Sequence, residues 1–360
     1  MKIFLLALPL SLATALPLAA EITAVTHPEE KFPAQATVAW SPLFQAAWDR
    51  LNEESGGKPV KYEPPHPLME KLDRFTWKSS AVMPADGWGI WSGPATTETL
   101  DRANKGAAAI SASKGPVFTL KAPDPAGIAV FGLLERQVEF EKALFASKTR
   151  PLRFGEGDAA QEVKFFGVKG EKSEDFTEIK VLAYRPGEKC HAVALPCKGG
   201  TESVILYRPP AGAAQDFATA CQWLRTWRKA WKEDQDTGLG YNDPTFHRRD
   251  VLKVPYLKLA TAVDFKSRLA SVRILSKMPP QKITRAEQKV EFELHERGAR
   301  VKVVVELEAQ PLGAVPEPPA AFPRLFVYDA PFFVFLWKDG AEWPYFGTWV
   351  GDASAMEKWE

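Results

Sequence analysis

Residues 289–310 read KVEFELHERGARVKVVVELEAQ, and their alternation decides the fold. Successive side chains of an extended chain point to opposite sides. Beyond Gly298 this puts Ala299, Val301, Val303, Val305, Leu307 and Ala309 on one face, and Arg300, Lys302, Glu306, Glu308 and Gln310 on the other. The segment is an amphipathic strand, either permanently paired or able to move. Residues 311–323, PLGAVPEPPAAFP, carry five prolines in thirteen positions. Proline withholds ladder N–H donors, so this stretch predicts an exposed, extended loop. The chain then resumes as the apolar run FFVFLW, turns at Asp339-Gly340 and closes on YFGTWVG, which reads as a hairpin.

Upstream, the runs VFTL, GIAVFGLLERQVEF, QEVKFFGV, FTEIKVLAY, HAVALPC and ESVILYRPP are rich in branched and aromatic residues and separated by Gly, Pro, Lys and Asp clusters, which predicts strands. DVLKVPYLKLATAV continues the series. Helices are expected mostly early. SPLFQAAWDRLNEESGG offers Ser41 as N-cap, Pro42 at the first helical position and Gly56 as terminator; two more helices are expected near 67–75 and 96–111. Later, Phe217, Ala220, Trp223, Leu224, Trp227 and Trp231 share one face of a helix, a spacing that favours core packing over a sugar-stacking platform. Nothing repeats and no Gly/Ser linker interrupts the chain, so residues 21–360 are read as one α+β domain.

Residues 1–20, MKIFLLALPLSLATALPLAA, have one positive charge, an apolar run broken by Pro9 and Pro17, and small residues at Ala19 and Ala20. They read as a secretory signal peptide, so an exported protein without a membrane span is expected. Over 360 residues Lys+Arg is 46 and Asp+Glu 45, a balance that argues against nucleic acid as a partner. The histidines stand apart at 27, 66, 191, 247 and 295, and no HExxH, GxSxG, phosphate-loop or dinucleotide pattern occurs. Cys190, His191 and Cys197 lack paired CxxC spacing, so neither a metal nor another cofactor is expected. Cys190 and Cys197 on one strand lie too far apart to bridge, and with Cys221 they leave an odd count; the fold is expected not to depend on disulfides. Trp88 and Trp91, in DGWGIWSG, are candidates for exposed ligand contacts.

The closing pattern resembles the serpin family. Glu296-Arg297-Gly298 is similar to its hinge, Pro331-Phe332 to its closing strand, and Phe346-Gly347 to its final Phe-x-Gly. In the family's order, Ser41-Pro42-Leu43 resembles the start of a buried early helix and Gln288-Lys289 the residues leading the fifth central strand. VPYLKLATAVDFKSRLASVRI and HAVALPCKGGTESVILYRPP resemble two further family segments, and the matches together span most of residues 37–352.

The resemblance implies a serpin-like α+β fold. It has a large mixed sheet with early helices packed on it, further sheets, and a reactive loop at about 306–323 near the C-terminus. It implies a monomeric, non-catalytic inhibitor of a serine protease. The protease cleaves the loop, and the hinge residues Glu296, Arg297, Gly298, Ala299, Val301 and Val303 enter the sheet as a new strand. The family's hinge-to-cleavage interval places the bond near Leu312-Gly313, which implies a chymotrypsin- or elastase-like target. Several positions depart from the pattern. Val301, Lys302, Val303, Val304 and Val305 replace small hinge residues, and stiff branched side chains should slow entry. Phe44 stands for a Ser, while Ile128 and Arg136 stand for an Asn and a Trp. The segment between the first helix and that strand is short, so one or more early helices are expected to be missing. A serpin-fold protein that binds or scaffolds without inhibiting is therefore the alternative.

Overall fold

The computed structural model describes residues 22–56, 59–111, 115–169, 176–213, 215–233, 243–269, 272–276, 281–301 and 323–360. The signal-like residues 1–20, Val303 and the Leu312-Gly313 bond lie outside them.

A seven-stranded sheet forms the centre. Its order is Ile22–Val25, Thr37–Trp40, Phe346–Val350, Phe332–Lys338, Glu202–Arg208, Cys190–Pro196 and Lys180–Arg185. The first pair is parallel and the other pairs antiparallel. The runs FFVFLW and VILY are apolar throughout because both faces of this sheet are covered. Val204, Leu206, Val334 and Leu336 point into one core with two four-stranded sheets. Ile205, Tyr207, Phe333 and Phe335 point into another with the helix Phe217–Glu233, where the Tyr207 and Trp223 rings stack at 4.5 Å.

One four-stranded sheet runs Leu257–Asp264, Glu287–His295, Gly298–Val301, Arg136–Glu139. Only its inner face is buried, so it keeps strict alternation: Val290, Phe292 and Leu294 are buried while Lys289 and Glu291 are exposed. The other runs Leu325–Val327, Val251–Pro255, Phe165–Val168, Phe145–Ala146. A separate antiparallel pair, Trp88–Ala95 with Asp124–Leu134, is clamped between two helices. On one side Leu43 of helix Leu43–Glu54 approaches Gly132, and Ser92 Oγ donates to Glu54 at 2.6 Å. On the other, the Trp91 indole lies on Gly106 of helix Thr97–Ala108, where a Cβ would come within 2.2 Å of Nε1.

Three local expectations are corrected. VFTL is not a strand: the Phe118 N–H and C=O bond to the Asn104 side chain at 2.8 and 3.2 Å, so an amide takes the ladder's place. The first helix begins at Leu43 with Pro42 as its cap residue, because Ser41 Oγ accepts from Leu43 N–H (3.2 Å) while donating to the Tyr345 carbonyl (2.9 Å). Trp88 and Trp91 are half-buried rather than open to a ligand; Trp88 donates to Pro84 O and Trp91 packs against Phe118. Cys190, Cys197 and Cys221 are all free and buried. No described helix is long and apolar enough to cross a membrane.

Candidate strand-insertion site

The hinge-like residues come together at one point of the sandwich. Glu287–His295 leaves its partner Leu257–Asp264 at His295, turns through Glu296-Arg297 and returns as Gly298–Val301. The returning strand pairs antiparallel with Glu287–His295 on one side (Ala299 opposite Leu294, Arg300 opposite Glu293) and with Arg136–Glu139 on the other (Ala299 opposite Val138, Val301 opposite Arg136). Its two neighbours are therefore parallel to each other, and the new strand stands between them. The turn is tied down by Phe140 N–H donating to Arg297 O (2.8 Å) and Leu144 N–H to Glu296 O (2.7 Å). The Tyr256 hydroxyl donates to the Glu296 carboxylate; burial, and then this carboxylate, raise the tyrosine's pKa. Gly298 is required by close approach, since a Cβ there would lie 2.1 Å from the Val138 carbonyl oxygen.

Below this point the inner face joins hinge and hairpin. Ala299 is fully buried beside Leu294 and Val138, and Phe292 stacks on Phe346 at 4.8 Å. Phe332 is fully buried against Tyr328 at 5.1 Å, Gly347 pairs with both Trp40 and Phe335, and Gln288 pairs with Val263. Pro331 directly precedes the closing strand, and Ser41 and Pro42 meet the hairpin through Tyr345. Phe44 packs edge-on against Phe265 at 5.6 Å.

Sequence reasoning missed the polar network under the hinge. Arg136 reaches inward to bind Glu202 and also pairs with Asp86; Glu202 accepts the Tyr345 hydroxyl. Glu202 is 5% exposed and Tyr345 0%. Burial and the neighbouring Glu202 carboxylate hold the Tyr345 hydroxyl well above its usual pKa, and Glu202 with Asp86 raises that of the Arg136 guanidinium against the effect of its own burial. The available signal was an Arg inside the apolar run GIAVFGLLERQVEF and a Glu leading another, ESVILY.

At the far end of residues 302–322, Arg324 is anchored by a buried pair with Asp250, both side chains 2% exposed. It also donates to the carbonyls of Asp243 (2.7 Å) and Thr245.

A sandwich of this topology, with its returning strand between two parallel ones and a buried closing hairpin, has the serpin fold. The serpin from Schistosoma mansoni is similar over 88% of this chain and 95% of its own, at 12% identity and TM-score 0.50. Human glycosylated kallistatin is similar over 89% and 92%, at 12% identity and TM-score 0.52. Human thyroxine-binding globulin complexed with thyroxine is similar over 90% and 93%, at 10% identity and TM-score 0.50. No family sequence model matches the chain, and no curated protein matches it in sequence.

Proposed function

We propose that this chain is an exported, single-domain protease inhibitor of the serpin type. A serine protease of chymotrypsin- or elastase-like specificity cleaves near Leu312-Gly313, and the residues after Gly298 then enter the sheet as a new strand, holding the acylated protease to the far pole. The protein carries out no turnover of its own and acts as a monomer. The observation that supports this reading is the placement of Gly298–Val301 between two parallel strands, with their edges unpaired beyond it among the described residues. Strand pairing of this kind converts stored conformational energy into a trap.

A second reading is favoured by Val303, Val304 and Val305, whose stiff side chains slow entry and give the protease time to deacylate. The chain is then a serpin-fold binding protein, as human thyroxine-binding globulin complexed with thyroxine illustrates for another chain. Incubation with chymotrypsin, elastase, subtilisin and papain separates the two. An inhibitor gives SDS-stable complexes with at least one of them, whereas a binding protein gives only cleaved chain.

A further inference from the structure

Residues 26–32, THPEEKF, run between three helices and tie them together around one titratable side chain. Toward helix Phe217–Glu233, the Pro28 carbonyl accepts the Ala218 N–H at 2.9 Å, Phe32 N–H donates to Gln215 O at 3.2 Å, and Lys31 pairs with the buried Asp216. The Ala218 N–H is a first-turn donor that a helix cannot satisfy by itself, so the stretch also caps that helix. Toward helix Pro67–Arg74, Lys71 lies 3.7 Å from Glu29, and the His27 ring stands edge-on to Phe75 at 5.2 Å. Toward the short helix Lys266–Leu269, Arg268 binds Glu30.

His27 is only 3% exposed, and its hydrogen bonds select the neutral ring. Nδ1 accepts the Glu29 N–H at 3.3 Å, so the ring proton sits on Nε2, which has no partner among the described residues. The Glu30 carboxylate that could have balanced a charge is already taken. It accepts from Thr26 N–H (2.8 Å), Thr26 Oγ (2.6 Å) and His27 N–H (3.0 Å), besides Arg268. A proton on Nδ1 would face the Glu29 N–H donor to donor, leaving a buried cation with two N–H groups and no acceptor. The charged groups around the ring are Glu29, Lys71, Glu30 and, through Glu30, Arg268, two of each sign. Burial, helped by Lys71 and opposed by Glu29 and Glu30, holds the His27 pKa below its ordinary value. Burial would raise that of Glu30, but the hydrogen bonds from Thr26 and Arg268 hold it below the usual carboxylate range, so Glu30 keeps its charge where a histidine titrates.

We propose that residues 26–31 form an acid-released clasp, fastened while His27 is neutral and freed when the ring takes up a proton. The proton goes to Nδ1, the Glu29 N–H loses its acceptor, and the ring leaves Phe75 for water. Phe32, packed on Phe217 at 5.1 Å, stays as the fixed end. At the other end Ile22–Val25, the edge strand of the seven-stranded sheet, runs directly into the clasp and is loosened with it. In the freed chain His27 has an ordinary pKa, so that state binds the proton first. The fastened state is therefore favoured above about pH 6.5 and loses ground by up to about tenfold per pH unit below it. The clasp is independent of whether the chain inhibits a protease.

The test uses the full chain and compares hydrogen exchange of the Thr26, His27, Glu29 and Glu30 amides at about pH 7 and about pH 5.5, corrected for the intrinsic pH dependence of exchange. All four N–H groups are hydrogen-bonded inside the clasp. They are expected to exchange about tenfold faster at the lower pH, while the amides of Phe332–Lys338 keep their protection. His27→Asn keeps a side-chain acceptor but does not titrate, and His27→Phe keeps the ring against Phe75; in either the tenfold difference should vanish. Arg268→Gln should loosen the clasp at both pH values and leave the difference in place. Equal protection of the wild type at the two pH values overturns the proposal, and so does a His27→Asn chain that loosens in acid as the wild type does. Loss of protection in Phe332–Lys338 together with the clasp shows general acid unfolding and overturns it as well.

Discussion

Gly298 and Arg136 lie on neighbouring strands, and each makes a prediction about the hinge. Any Cβ at position 298 meets the Val138 carbonyl at 2.1 Å, with backbone rather than a flexible side chain in the way. Gly298→Ala should therefore cost ~2 kcal/mol or displace the returning strand, seen as a lower urea midpoint and faster hydrogen exchange at Ala299. Arg136 and Glu202 form a largely buried pair, and removing one partner leaves the other without its counter-charge. Because Arg136 keeps Asp86 and about a quarter of its exposure, Glu202→Gln is expected to cost ~2 kcal/mol, below the range for fully buried pairs. Replacing both by Leu and Met should recover much of it.

His191 gives a pH prediction at the same scale. It is buried with its ring edge-on to Phe326 (5.8 Å) and Tyr328 (4.8 Å), and its Nε2 has no hydrogen-bond partner among the described residues. Burial, with Arg208 nearby, pushes its pKa down to about 3 from 6.5. The unfolded chain therefore takes up the proton first, and the contribution of neutral His191 to stability is lost as pH falls from about 6.5 towards about 3. His191→Phe should flatten the acid limb of a stability-against-pH curve relative to the wild type; an unchanged slope would place the loss elsewhere.

At the scale of elements, the inhibitor reading makes the valine run after Gly298 the expected brake. Val301→Ala with Val303→Ala should raise the fraction of protease trapped per chain cleaved, measured as stoichiometry of inhibition, because alanine enters a closing gap more freely. Elements with one dominant physical cause were readable in the sequence. FFVFLW and VILY are unbroken apolar runs because they are buried on both faces, and Glu287–His295 alternates because it is buried on one. Short strands such as Ile22–Val25 and Leu152–Phe154 were not readable, since three or four residues carry no period. VFTL has the composition of a strand but was claimed by the Asn104 side chain, a tertiary contact that no local pattern encodes. Arg136 and Glu202 were visible only as polar residues in apolar surroundings; that they meet depends on how two sheets stack.

For the whole molecule, the inhibitor reading predicts a large rise in melting temperature after loop cleavage, because an added central strand pairs along both of its edges. A scan before and after limited proteolysis measures it, and superimposable curves would favour the binding-protein reading. The buried Arg324–Asp250 anchor has a separate consequence for handling the protein. After it, Leu325–Val327 joins a four-stranded sheet and the hairpin of Phe332–Lys338 and Phe346–Val350 is woven through the middle of the seven-stranded sheet. A chain nicked in the stretch before Arg324 should keep its C-terminal fragment and elute from gel filtration as an intact particle. Cleaved and intact material would then differ in apparent size only in denaturant, where two polypeptides separate.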